Sequence, residues 1–188
     1  MQVYGTSLHG VKLCQPRKFG DDRGWFSEIF NAATFAGAGL PERFVQDNQS
    51  RSARGVLRGL HYQLEQQQGK LVRVLSGEIF DVALDLRRDS PTFGKHEGFR
   101  LKPFSDEGEL TMLWVPPGFA HGFLVLSDFA DVFYKATDFY HPASERAILW
   151  NDPELAIEWP LEGITPAVSA KDANGAPFLQ AELPKNRD

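Results

Sequence analysis

Apolar residues in this chain come in short runs, and the clearest run alternates. In IFDVALDL, residues 79–86, Phe80, Val82, Leu84 and Leu86 fall on one face, with Asp81 and Asp85 on the other. A period of two predicts a half-buried β-strand. The preceding KLVRVL sets Val72 and Val74 against Arg73, and Ser76-Gly77 supplies a turn, so the two runs predict a hairpin. A second β block covers residues 110–137. It reads LTMLWV, a PPG turn, FAHGFLVL, a break at SDFA, then DVFYKAT with Val132, Tyr134 and Ala136 sharing a face. A third block, 44–63, joins FVQDNQS to VLRGLHYQ through a polar SRSARG segment. One short helix is expected over 31–37, with Asn31 as N-cap and Gly37 or Gly39 as its stop. Beyond Trp159 the chain is rich in Pro, Ala and Gly and reads as a loose tail. Many short strands with close-spaced turns predict an all-β sandwich or barrel whose interior would suit a small molecule.

Composition narrows the setting. At 188 residues the chain is expected to form one domain, 1–188. The formal charge of −5 argues against a general nucleic-acid binder but leaves room for a local basic pocket. Cys14 is the single cysteine, so no internal disulfide is possible, which fits a reducing compartment. The opening MQVYGTSLHG lacks the basic start and apolar run of a secretory signal, and no run is long enough to span a membrane. A cytoplasmic protein without a membrane partner is expected.

His61 and His121 each lie in an apolar strand beside glycine, whereas His9, His96 and His141 have polar or Pro-flanked context and are expected at the surface. A lone strand histidine is usually a bonded core residue; two on two barrel strands shift the balance towards function. Metal is the first possibility to weigh. PPGFAH, residues 116–121, resembles the second motif of metal cupins, but the first region offers only His61, and a divalent site needs three or four convergent ligands. No metal is expected. Arg58 and Lys70 sit beside glycine at strand positions, where a charge facing a dry core is costly, so an anionic ligand is the better account. Arg51 and Arg54 read as a solvated face. Strict alternation puts Arg58 and His61 on opposite faces, unless Gly59 hosts a bulge. Tyr134, Tyr140 and Asp172 each admit a plain reading, core packing for the tyrosines and a surface turn for the aspartate, beside a functional one.

The segments FGDDRGWFSE, FVQDNQS, VLRGLHYQ, QGKLVRVLSGEIFDVALDLR, SPTFG, WVPPGFAHGF, YKATDFY, ILWNDP, IEWP and SAKD occur in this order. From about Phe19 to Asp172, the chain resembles the dTDP-4-dehydrorhamnose 3,5-epimerases. The resemblance implies a cupin-like double-stranded β-helix, a jelly-roll barrel with a few short helices. It implies a homodimer with an exchanged N-terminal segment, a C-terminal tail from about 160 folded over the barrel, and no cofactor. By position it implies His61 as base, Asp172 as its partner, Tyr134 as proton donor and Lys70 beside the sugar's keto oxygen. It further implies substrate contacts at Arg23, Phe26, Glu28, Gln46, Asp47, Asn48, Arg58, His121, Glu145 and Lys171, with Tyr140 stacking on the thymine. Family members often read DNHS where this chain has Gln49, which bears on substrate preference rather than on the reaction.

The implied substrate is a dTDP-linked 4-keto-6-deoxyhexose. Its C4 carbonyl acidifies the protons on C3 and C5, and removing one leaves an enolate with charge on O4. A histidine held by a carboxylate suits the base, a cation near O4 stabilises the enolate, and inversion requires an acid on the opposite face. Three alternatives remain open on the residues: a mono-epimerase acting at C3 or C5 alone, a metal-dependent cupin oxygenase, and a non-catalytic nucleotide-sugar binding module.

Overall fold

The computed structural model describes residues 1–104 and 111–185. Leu110, the first residue of the expected second β block, lies outside them. The strands are β1 (Gln2–Gly5), β2 (Lys12–Gln15), β3 (Lys18–Asp21), β4 (Gly24–Ser27), β5 (Gln46–Ala53), β6 (Val56–Gln63), β7 (Lys70–Ser76), β8 (Ile79–Asp85), β9 (His96–Leu101), β10 (Met112–Val115), β11 (Phe119–Val125), β12 (Phe129–Ala136), β13 (Glu145–Ala147) and β14 (Ala167–Val168). Two short α-helices, α1 (Ala32–Gly37) and α2 (Ala170–Ala173), and two 3-10 helices, Pro142–Ser144 and Phe178–Gln180, complete the elements of the described residues. One sheet runs β1-β2-β10-β7-β12-β5 and the other β13-β6-β11-β8-β9, with β14 parallel to β6; β3 and β4 form a separate hairpin. The fold is all-β, a jelly-roll barrel of two apposed sheets.

The hairpin expected between residues 70–75 and 79–86 does not form. β7 pairs with β10 and β12, whereas β8 pairs with β9 and β11. Gly77, at φ 81°, carries the chain from one sheet to the other, and a Cβ there would lie 2.0 Å from the Phe129 carbonyl oxygen. The connections β5–β6, β10–β11 and β11–β12 also cross between sheets. Alternation marks each strand but does not say which sheet it joins. Ser50, Arg51 and Ser52, expected in a linker, extend β5 instead, so the turn is confined to Arg54-Gly55.

Inward residues of both sheets, among them Val72, Val74, Leu113 and Val132 against Ile79, Ala83, Phe119 and Phe123, form the core between the sheets. The second sheet is apolar on its outer face as well. Leu57, Leu60, Val82, Leu84 and Leu124 pack there against Leu155, Trp159, Ile164, Val168 and Phe178. The described residues beyond Trp159, 160–185, read as a loose tail, are therefore ordered by apolar contact with that face. α1 covers the first sheet through Phe35, beside Leu71, Met112 and Trp114; Asn31 caps it by accepting from the Thr34 N–H. No helix among the described residues is long and apolar enough to cross a membrane.

Asp81 and Asp85 correct the half-buried reading of β8, because both carboxylates are fully buried. Asp85 accepts from Arg87, Ser90 and Thr92 in the following loop. Asp81 faces the barrel interior, where His121 meets it.

Candidate active site

The site begins at a bulge. His61 lies opposite His121, and Arg58 opposite Phe123, so Gly59 and Leu60 together face Gly122. Only glycine fits here. Gly59 sits at φ 126°, an ideal Cβ on it would lie 2.5 Å from the Gly122 Cα, and one on Gly122 would lie 2.6 Å from the Arg58 carbonyl oxygen. The extra residue resets the alternation and puts Arg58 and His61 on one face, as a bulge does.

His61 Nε2 and Asp172 Oδ1 lie 2.5 Å apart. Asp172 comes from α2, where Ser169 accepts from its N–H at 3.1 Å. The carboxylate is buried, which by itself pushes its pKa up. Hydrogen bonds from His61, Ser169 and the Gly59 N–H, together with the imidazole's charge, outweigh this and hold it below the usual range. An ionised carboxylate on Nε2 fixes the ring and favours a proton there, leaving Nδ1 as the basic nitrogen.

Across the barrel, β12 and β7 carry Tyr134 and Lys70, whose ammonium stands 5.9 Å from the Tyr134 ring centre. His61, Lys70, Tyr134, Tyr140 and Glu145 line one pocket with Gln63, Gln67 and Gln68. Burial pushes Lys70 down to about 8, against the opposing pull of Asp81 and Glu145. Burial, with Glu145 nearby, pushes the Tyr134 phenol up despite Arg58. Glu145 ties the rim together: Tyr140 Oη donates to it at 2.6 Å, and Lys171, beside Asp172 on α2, forms an ion pair with it. Burial works against the Glu145 carboxylate, but the Lys171 and Tyr140 hydrogen bonds hold its pKa below the usual range.

Other expected residues fall around this centre. Asn48 lies directly opposite Tyr134 in the β5–β12 ladder, and its Nδ2 is buried without a partner. Gln46 Nε2 donates to Asn48 Oδ1 at 2.9 Å, and Arg58 Nε donates to Ser52 Oγ at 3.0 Å. His121 Nε2 meets both oxygens of Asp81, at 2.8 and 3.0 Å. Among the described residues no group of three or more His, Cys, Asp or Glu side chains could hold a metal.

Four expected contacts stand apart. Asp47 points to the opposite face of β5 and pairs with Lys135 at 2.7 Å, because odd-numbered positions of that strand face outward. Gln49 shares that outward face, so its difference from DNHS does not reach this pocket. Arg23, Phe26 and Glu28 belong to the β3–β4 hairpin and its exit. None lines the pocket: Arg23 pairs with Asp21, Glu28 accepts from Asn31, and Phe26 is 69% exposed. Sequence reasoning missed Asp81, whose place in an alternating run suggested solvent, and Gln63, the last residue of VLRGLHYQ. Asp81 left no signal in the sequence, since alternation alone does not say which face of a strand turns inward.

Comparison with known proteins agrees along the whole chain. A sequence model described as dTDP-4-dehydrorhamnose 3,5-epimerase matches residues 5–180. The dTDP-4-dehydrorhamnose 3,5-epimerase of Pseudomonas aeruginosa is 56% identical over 183 residues, covering 97% of this chain and 98% of that one. A Legionella pneumophila dTDP-6-deoxy-D-glucose-3,5-epimerase, solved with dTDP-4-keto-L-rhamnose, superposes with a TM-score of 0.92 at 48% identity, covering 100% of this chain and 99% of that one. A 3'-monoepimerase from Streptomyces bikiniensis, solved with dTDP-quinovose, gives a TM-score of 0.86 at 33% identity over 96% of this chain and 91% of that one. The barrel, the site and these similarities together lead to one statement: the chain belongs to the dTDP-4-dehydrorhamnose 3,5-epimerase family of isomerases.

Proposed function

We propose that this protein inverts C3 and C5 of dTDP-4-dehydro-6-deoxy-D-glucose, giving dTDP-4-dehydro-L-rhamnose. The observation that carries the reading is the pairing of His61 with Asp172 on one wall of the pocket, facing Tyr134 and Lys70 on the other. In this reading His61 takes the proton from C3 or C5, and Asp172 stabilises the imidazolium. Lys70 stabilises the enolate oxygen at O4; a group aimed at such developing charge commonly contributes ~3–4 kcal/mol. Tyr134 delivers a proton to the opposite face of the same carbon; His61 then releases its proton to solvent and Tyr134 regains one from it, so the cycle closes with no net proton gained. Arg58, Gln46, Asn48, His121 and Lys171 hold the nucleotide, whose remote binding energy orients the sugar.

The exposed β3–β4 hairpin supports a homodimer. Phe19, Trp25 and Phe26 are large and exposed there, and Arg23 and Glu28 do not line the His61 pocket of their own chain. In this reading they complete the site of a second copy.

Incubation with the keto sugar nucleotide in heavy water, read by NMR, tests the reaction. Deuterium and inverted configuration at both C3 and C5 are expected. Inversion at one carbon alone would make the protein a mono-epimerase, and no deuterium uptake would remove the catalytic reading altogether.

A further inference from the structure

Gln63 is 6% exposed and carries none of the roles above. Both ends of its amide are bonded to backbone. Oε1 accepts from the His141 N–H at 3.0 Å, while Nε2 donates to Gln66 O at 2.8 Å and Phe139 O at 3.2 Å. Two more glutamines act on the same loop: Gln46 Oε1 accepts from the Tyr140 N–H at 2.9 Å, and Gln68 Nε2 donates to Asp138 O at 2.9 Å. The backbone of residues 138–141, which belongs to neither a helix nor a strand, is thus tied at four consecutive positions by three side-chain amides. These arrive from β5, β6 and the segment after β6. The loop's product is the placement of Tyr140, whose ring is half exposed at the pocket rim.

Such a framework matters because a stacking ring is effective only in a set orientation, and a ring already held in place costs a ligand less to engage. We propose that Gln63 is a positioning residue that fixes the 138–141 loop, so that Tyr140 stands as a platform for the pyrimidine base of the bound nucleotide. The inference rests on the dTDP-sugar reading of the site. Gln63 touches no part of the base; it acts through the Phe139 carbonyl and the His141 N–H. Base-bearing ligands should therefore depend on Gln63, and the diphosphate alone should not.

The test titrates the 188-residue protein and its Gln63→Met variant with dTDP and with inorganic pyrophosphate, alongside steady-state kinetics. Losing buried hydrogen bonds on an ordered loop should weaken dTDP by about tenfold. Pyrophosphate affinity should stay within about twofold, and KM should rise while kcat is largely kept. On a Tyr140→Ala background the same change should add little, since both act on one contact. Unchanged dTDP affinity, or equal weakening of both ligands, would overturn the assignment. If Gln63→Met does not fold, Gln68→Met removes one tie at the half-buried rim. It should show the same split at about two- to threefold, and its absence would overturn the assignment equally. A wild-type protein that bound pyrophosphate but not dTDP would instead remove the reading of the site on which the inference rests.

Discussion

Asp172 and Lys70 show how single residues set the chemistry by their surroundings. The Asp172 carboxylate stays ionised through its bonds to His61, Ser169 and Gly59, so it can hold one imidazole tautomer. Asp172→Asn should keep the fold and lower kcat by about 10²-fold or more, because the amide cannot stabilise the imidazolium. A kcat within twofold of wild type would deny the pair its role. Lys70 is pushed down by burial to about 8. Its charge is lost as pH rises through that value, so kcat/KM should fall on the alkaline side near pH 8. In Lys70→Arg, whose guanidinium stays charged, that limb should vanish even if the rate is lower. Stability runs the other way. Between the lowered folded value and the ordinary lysine value of ~10.4 the unfolded chain binds more protons, so stability rises with pH there. At neutral pH the buried charge is a cost, and Lys70→Met should raise the melting temperature while removing turnover.

At the level of elements, the β6–β11 bulge does most to assemble the site. Gly59→Ala would put a Cβ into Gly122 at a positive φ, and we expect a loss of more than about 2 kcal/mol in urea unfolding. A variant as stable as wild type would mean that the bulge is not constrained as described. Gly59 could be singled out as a possible bulge in the sequence because His61 and Arg58 needed a common face. Whether the strand bulged there was not legible, since it depends on the register against Gly122. The runs at 70–75 and 79–86 were legible as strands but not as members of different sheets, because the Gly77 turn looks like a hairpin turn locally. Asp81 failed for a related reason: period two distinguishes faces, but not which face meets a polar interior.

On the scale of the whole molecule, the barrel is wrapped on both outer faces, and the wrapping brings Asp172 to the pocket. Trp159 packs on the outer face of the second sheet and donates from Nε1 to Trp150 O at 2.8 Å; the same apolar layer includes Val168, next to α2 and Asp172. Trp159→Ala should cost about 3–5 kcal/mol in a denaturant titration. The tail's order could not be read locally, because it comes from contact with β6, β8 and β11, all distant in the sequence. Arg23, Phe26 and Glu28 pose the matching question between molecules. If they complete a second copy's pocket, mixing inactive Arg23→Ala and His61→Ala proteins under conditions that exchange subunits should restore activity through one intact site. A mixture as inactive as its components would count against the shared site. The central claim is that His61 and Tyr134 act on opposite faces of one ketose, and the most direct measurement is NMR of the sugar nucleotide after incubation in heavy water with each variant. The account predicts no deuterium at C3 or C5 with His61→Ala, and with Tyr134→Phe retained exchange but little C5 inversion. Wild-type exchange in the first variant, or full double inversion in the second, would contradict it.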